Sequence, residues 1–206
     1  MNKAKGSAVV MDPVSNGAKS DIEETAPYTL RVTIEGTAPL LFHKWDGEAV
    51  ESKQKAAKGS KTKKSDNVES YVPRDLDGKV AIPGEYFRQS IINAAKYQQD
   101  PRSPRKSAMD IFKAGMLVLT EYASLGKREW DYLDSRRVMV QRQGITRMRP
   151  ALYKGWQATF DIQVLLPEYI SRQLLLRVME DAGRLVGIGD FRPTFGRFSV
   201  VRVDNT

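Results

Sequence analysis

The arginine residues of this chain are concentrated in two segments whose composition favours contact with an anionic partner. The first segment, from Ser135 to Phe160, contains no acidic residue and ends near the aromatic residues Tyr153 and Trp156. Guanidinium groups donate paired hydrogen bonds to phosphate oxygens and stack on planar rings. This pattern suits single-stranded nucleic acid better than a duplex groove, and an ordinary polar hairpin is the alternative. The basic candidates are Arg136, Arg137, Arg142, Arg147, Arg149 and Lys154.

The second segment, GRLVGIGDFRPTFGRFS at 183–199, contains four glycines, three arginines and three phenylalanines. Glycines allow the backbone to approach a phosphate closely, arginines donate charge-assisted hydrogen bonds, and Phe191 or Phe195 is able to stack or pack. The alternative is a helix cap at Gly187 followed by a tight turn, with the phenylalanines in the core. The sequence leaves both interpretations open. The candidate contacts here are Gly187, Gly189, Arg192 and Arg197.

A lysine-rich stretch at 46–70 has almost no apolar residues to bury and predicts a long flexible insertion, placed at 46–72. Lysines of such a loop contact a phosphate backbone without sequence preference, and release counterions when they do so. A solvated linker with no binding role explains this composition equally well. The candidates for backbone contact are Lys61, Lys63 and Lys64.

Residues for catalysis are few. The chain has no cysteine, which excludes disulfides, zinc–thiolate sites and cysteine nucleophiles, and its one histidine, His43, excludes a histidine pair. The segment GIGDFRPTFG lacks the Gly-Lys-Ser/Thr of a P-loop. We therefore predict no catalytic residue, no metal site and no cofactor. Asp46 lies in a stretch typical of a turn.

The overall composition predicts a globular protein with an anionic partner. Lysine and arginine number 33 against 25 acidic residues, a formal charge of +8, and 41% hydrophobic residues suffice for a core. Residues 1–27 have no periodicity and predict a disordered N-terminal tail. No apolar run approaches the roughly 20 residues of a membrane span, and no signal peptide is recognisable. The expected location is the cytoplasm, with no membrane partner.

The elements that would position these residues follow from periodicity. Alternating apolar residues predict strands at 28–36 and 156–167, a further core strand spans about 116–122, and the last strand lies at 197–203. Helical spacing predicts one helix after Pro83-Gly84 and another capped by Ser171. The flanks of Gln143-Gly144 predict a hairpin that turns there.

Without its insertions the order of elements is βαββαβ, which predicts an α+β, ferredoxin-like fold with an RRM-like palm. One domain is expected at 28–206, with the mobile loop at 46–72 and a β-hairpin insertion at 134–156. The helices would cover one face of an antiparallel sheet and leave the other face available for a partner.

Three stretches in this order resemble the CRISPR RAMP superfamily, over roughly residues 28–203, and the first of them is the opening strand at 28–36. IPGEYFRQSIINAAK at 82–96 resembles its proline–glycine–helix motif, with Glu85 and Tyr86 where two serines are common and Arg88 where lysine is common. GIGDFRPTFGRFSV at 187–200 resembles its C-terminal glycine-rich loop.

The layout is most similar to the RNA-binding backbone subunit of CRISPR effector complexes, which serve antiviral defence, or to a phage-borne relative. The resemblance implies a thumb at 134–156, RNA backbone contacts by Arg88 and the 187–197 loop, a homo-oligomeric helical filament along RNA or single-stranded DNA, and further effector subunits as partners. The expected function is non-enzymatic nucleic-acid binding. The alternative is a structural protein of a phage or bacterial assembly whose basic surface binds proteins. A third possibility, which only the resemblance implies, is a metal-dependent ribonuclease that uses Asp46.

Overall fold

The structure, a computed structural model, describes residues 26–43, 67–140 and 143–206. Nearly all of the expected tail and most of the expected insertion at 46–72 therefore lie outside the described residues. So do five residues singled out from the sequence, namely Asp46, Lys61, Lys63, Lys64 and Arg142.

The described residues form small antiparallel sheets and three α-helices, which confirms the α+β class. The strands are β1 (Tyr28–Gly36), β2 (Leu40–Leu41), β3 (Ala81–Pro83), β4 (Gln99–Asp100), β5 (Ser103–Ser107), β6 (Met116–Val118), β7 (Tyr122–Ser124), β8 (Tyr132–Val140), β9 (Gln143–Leu152), β10 (Gln157–Val164) and β11 (Phe198–Asn205). The helices are α1 (Gly84–Ala94), α2 (Met109–Gly115) and α3 (Arg172–Asp181). Short 3-10 helices at Val68–Tyr71 and Ala95–Tyr97 and a π-helical turn at Ala182–Val186 complete the elements.

The largest sheet has four strands in the order β11-β1-β10-β6, and all neighbours are antiparallel. Its strands alternate as predicted, so Val32 of β1 and Phe160 of β10 point into the core. Phe87 of α1 stacks on Phe160 with ring centres 4.0 Å apart. The other face is polar, where Arg31 Nε donates to Asp161 at 2.8 Å. One face of this sheet therefore holds the core.

The first helix begins at the predicted Pro-Gly pair for a steric reason. Pro83 precedes the helix with an extended backbone, and Gly84 opens it. A Cβ on Gly84 would lie 2.0 Å from the carbonyl oxygen of Thr120, so only glycine fits there. The predicted apolar stripe, including Phe87 and Ile91, is buried. At α3 the predicted cap is confirmed, because Ser171 Oγ accepts from the backbone N–H of Leu174.

The predicted hairpin is confirmed as β8–β9, and β2 extends it into a three-stranded sheet. The predicted turn at Gln143-Gly144 is wrong. The ladder is continuous from Tyr132 opposite Ala151 to Val140 opposite Gln143, so Gln143 and Gly144 belong to β9. Register along a full ladder fixes the connection more strongly than one glycine does.

Two strand predictions also change in their bounds. The strand expected across 116–122 is two short strands, β6 and β7, which pair with β10 and β3 respectively. The last strand begins at Phe198 and runs to Asn205. Both differences arise because the partner strands, rather than local apolar content, decide where pairing ends.

Candidate nucleic-acid interface

Three of the predicted arginines share one face of the β8–β9 hairpin. Directly opposed residues of an antiparallel pair project to the same side. The register places Asp134 opposite Arg149 and Arg136 opposite Arg147. Arg137, opposite Thr146, projects to the other side. The hairpin therefore presents a cationic face and separates Arg137 from it.

The glycine-rich segment at 187–197, here called the C-terminal loop, lies against this cationic face. The Arg136 guanidinium is 4.5 Å from the centre of the Phe195 ring and 5.7 Å from that of Phe191. The Arg149 guanidinium is 5.5 Å from the Phe191 ring. The two ring centres are 5.9 Å apart in an edge-to-face arrangement. The two segments singled out from the sequence thus meet through arginine–aromatic contacts.

The contact is secured by an ion pair between Arg149 and Asp190. Arg149 Nε donates to the Asp190 carboxylate, and the Arg149 side chain is 3% exposed. Burial raises the pKa of Asp190, but the hydrogen bonds from Arg149 and from the backbone of Phe191, with the charges of Arg149 and His43, outweigh it, and the net pKa is lowered. Arg149 Nη1 is buried and finds no acceptor among the described residues. Arg149 therefore joins the loop to the hairpin from within.

The remaining cations of this face are more accessible. Arg136 is 42% exposed and its Nε donates to the buried carboxylate of Asp134 at 2.8 Å. Arg147 is half-buried, with Nη1 3.5 Å from Nε2 of His43. The His43 ring also packs on Tyr71, with ring centres 4.5 Å apart. The two carboxylates balance only two of the three arginines.

The glycines of the C-terminal loop are explained by contacts within the chain. Gly187 caps the preceding π-helical turn, as one of the two alternatives predicted, and its N–H donates to Ala182. Gly189 has a φ of +77°, and a Cβ there would lie 2.7 Å from the carbonyl oxygen of Leu41. Gly189 therefore seats the loop on β2, whereas Gly187 lies close to Phe195 and Gly196 of the loop itself. Phe195 is buried, as that alternative also predicted, whereas Phe191 remains 39% exposed.

The other predicted contacts are distributed around this centre. Arg192 and Arg197 are exposed on the C-terminal loop, and Arg197 Nε donates to the carbonyl of Pro193 at 2.8 Å. Lys154 is exposed just after β9. Arg88 is 24% exposed and donates to the carbonyl of Lys113 at 2.8 Å, which directs it to the α2 side of α1. The structure thus groups Arg136, Arg147 and Arg149 on one face of the hairpin, places Arg192 and Arg197 on the C-terminal loop that packs against this face, and leaves Arg88, Arg137 and Lys154 apart.

Sequence reasoning missed the acidic residues of this site. Asp134 lies immediately before the acid-free run, and Asp190 lies inside the glycine-rich segment. For Asp134 the sequence contains a local signal, because Arg136 follows it by two residues. The pairing of Asp190 with Arg149 depends on a meeting of distant segments and has no local signal.

A groove beside the loop was also missed. It lies between the end of α1 and the C-terminal loop, and its aromatic lining residues Tyr97 and Phe191 are 51% and 39% exposed. Its polar lining comprises Asn93, Lys96, Asp190 and Arg192.

Comparison of the chain with protein-family models gives no match, and comparison with curated proteins gives no significant match. The part of the chain that the structure describes contains no group of three or more histidine and acidic side chains arranged to hold a metal ion. Within the same residues, no helix combines the length and apolar character needed to cross a bilayer.

Proposed function

We propose that this protein binds RNA, or another single-stranded nucleic acid, through the cationic face of the β8–β9 hairpin and the C-terminal loop, and does so without catalysis. The observation that carries the proposal is the contact of the exposed Arg136 with the partly exposed Phe191, on a face where three arginines meet two carboxylates among the described residues. Arginine next to aromatic rings serves both the phosphates and the bases of an unpaired strand.

We further propose the ferredoxin-like plan and membership of the CRISPR RAMP superfamily, with assembly of copies along the ligand. The strand order β11-β1-β10-β6 supports the plan, since α1 lies between β1 and β6 in the chain and α3 between β10 and β11. The β8–β9 hairpin precedes β10, where the resemblance expects a thumb. Support for assembly is confined to the resemblance and the charge.

Purification at moderate salt provides the first test. The ratio of absorbance at 260 and 280 nm and the light-scattering mass are measured before and after RNase or DNase. Co-purifying nucleic acid whose digestion reduces the mass would support binding and assembly and would name the polymer. A clean protein of unchanged mass that binds no added oligonucleotide would contradict the proposal and favour protein partners for the basic surface.

A charge-matched pair of variants tests the site. The test variant replaces exposed or half-buried arginines of the site and retains the buried Arg149, whose loss would disturb folding. Its changes are Arg136→Gln, Arg147→Gln, Arg192→Gln and Arg197→Gln. The control removes four positive charges elsewhere, through Arg105→Gln, Arg128→Gln, Arg177→Gln and Arg202→Gln.

Both variants have the same net charge, so a difference between them reports location. We expect the test variant to bind a single strand more weakly. The magnitude of the slope of log K against log salt should fall by up to about 3, at roughly 0.7 for each phosphate contact that is lost. We expect a smaller loss in the control. Equal binding by the two variants would overturn the site assignment.

A further inference from the structure

The groove between α1 and the C-terminal loop displays two aromatic side chains at its surface. Tyr97 follows the end of α1 and is 51% exposed, and Phe191 enters from the loop and is 39% exposed. A single exposed aromatic ring is ordinary on a protein surface, whereas neighbouring exposed rings are a feature of binding surfaces. Two such rings lining one concave surface indicate a ligand with planar faces.

The backbone of Phe191 adopts a conformation that phenylalanine rarely takes. Its φ is +58°, in the left-handed region that favours glycine, and among the described residues it is the one non-glycine with positive φ. Backbone hydrogen bonds on either side fix this conformation, because the N–H of Asp190 donates to the carbonyl of Leu41 and the N–H of Phe195 donates to the carbonyl of Phe191. A strained residue whose ring stays partly exposed gains little for the core, which makes it a functional candidate.

Cations and hydrogen-bonding groups border the two rings. Lys96 Nζ lies 4.8 Å from the centre of the Tyr97 ring, and Arg192, adjacent to Phe191, also lines the groove. Asn93 contributes an amide and Asp190 a carboxylate to the same surface. Aromatic faces with two cations and a few polar atoms match a nucleotide, which has a planar base, polar base edges and an anionic phosphate. An acidic peptide would use the cations and leave the two rings without planar partners.

We propose that this groove binds an unpaired nucleobase of the strand, stacked on Phe191 or Tyr97, with Lys96 and Arg192 contacting the adjacent phosphates. The inference rests on the proposed function and assigns the stacking of a base to one place, the groove between α1 and the C-terminal loop. Because stacking tolerates any base, the subsite would add affinity without selecting a sequence.

The test compares the binding of two ligands by variants in which aromatic side chains are replaced by leucine. The ligands are a short oligoadenylate, of RNA or DNA as the nuclease experiment indicates, and an abasic strand of equal length and charge. The test variant is Tyr97→Leu with Phe191→Leu. The control is Tyr169→Leu, which removes a half-buried ring that lies 5.2 Å from the Arg102 guanidinium and outside both the groove and the β8–β9 hairpin. Tyr97→Leu alone serves as a second variant, because its half-exposed position leaves the loop intact.

We expect the test variant to bind oligoadenylate at least about fivefold more weakly than the unchanged protein does, and to bind the abasic strand equally well. Tyr97→Leu alone should show part of the same selective loss, and Tyr169→Leu should show none. Unchanged affinity for oligoadenylate, or equal weakening toward both ligands, would overturn the base-binding groove and leave the proposed function standing. Failure of the unchanged protein to bind either strand would instead overturn the proposed function, and this inference with it.

Discussion

The buried guanidinium of Arg149 is paired with the carboxylate of Asp190, and this pair joins the β8–β9 hairpin to the C-terminal loop. Arg149 is 3% exposed and Asp190 is 31% exposed. Because the buried member depends on one carboxylate, the position of Phe191, which follows Asp190 directly, depends on the same ion pair. The pair therefore positions the aromatic side of the candidate interface.

Removing the charge of Asp190 should destabilise the fold. For Asp190→Asn we expect a loss of about 2 kcal/mol in the free energy of unfolding, measured by urea denaturation. A fully buried pair loses roughly 3–5 kcal/mol, but Asp190 is partly exposed and the amide oxygen still accepts from Arg149. The matched change Asp161→Asn breaks the pair with Arg31, which is 52% exposed, and should cost less than about 1 kcal/mol. A similar cost for both variants would contradict the role of Arg149 and Asp190.

The same carboxylate predicts a dependence of stability on pH. The pKa of Asp190 is lowered in the folded protein, so its contribution to stability is full above the unfolded value of about 4 and is lost as pH falls through the folded pKa. Unfolding of the unchanged protein and of Asp190→Asn should therefore differ most above about pH 5 and converge below pH 4. Other carboxylates with lowered pKa values, such as Asp100 and Asp161, act equally in both proteins and cancel in the difference. A difference that stays constant down to strongly acidic pH would be inconsistent with this pairing.

Gly189 should tolerate no side chain, even the smallest. Gly189 and Gly126 both have φ of +77°, but a Cβ at Gly189 would approach Leu41 to 2.7 Å, whereas at Gly126 it would meet nothing within 4 Å. Gly126→Ala should cost about 1 kcal/mol for the left-handed backbone alone. Gly189→Ala should cost about 1–3 kcal/mol more, for the steric overlap. Thermal or urea unfolding of the two variants measures this difference. Equal losses in the free energy of unfolding would contradict the close packing of the C-terminal loop on β2.

Two adjacent arginines of β8 should differ in their effect on nucleic-acid binding. Arg136 faces the C-terminal loop and Arg137 projects to the other side of the hairpin. Arg136→Gln should weaken binding of a single strand and reduce the salt slope by about 0.7, and Arg137→Gln should change both much less. Fluorescence anisotropy over a salt series measures both quantities. The reverse order of effects would move the interface to the opposite face of the hairpin.

Sequence reasoning predicted the elements whose apolar residues repeat locally. The alternation of β1 and β10, the stripe of α1 and the Ser171 cap are all visible within a dozen residues, because burial on one face imposes the period. By contrast, β5 is exposed along nearly its whole length and contains Pro104, so no apolar pattern marked it. It forms through backbone pairing with β4, which is a relationship between strands and not a property of either one.

The candidate site was predictable in its residue types and not in its geometry. The run of arginines and the glycine-rich loop were evident, but their meeting depends on the register of β8 with β9 and on the loop lying over β2. The sequence places Tyr97 at the end of a predicted helix, and nothing in the sequence indicates the groove that this residue lines. Burial of Arg149 was equally hidden, since an arginine beside other arginines suggests an exposed surface.

The direct opposition of Arg136 and Arg147 has a consequence for the free protein. Like charges facing each other across an antiparallel ladder weaken its pairing by roughly 0.2–1 kcal/mol, and here the ion pair of Arg136 with Asp134 offsets part of that repulsion. A polyanion lying on this face would relieve the repulsion, so that occupancy and closure of the hairpin are thermodynamically linked. Amide hydrogens along these rungs should exchange with solvent faster in the empty protein than in the complex. Under the proposed function, a bound strand is therefore expected to stabilise the pairing of β8 with β9.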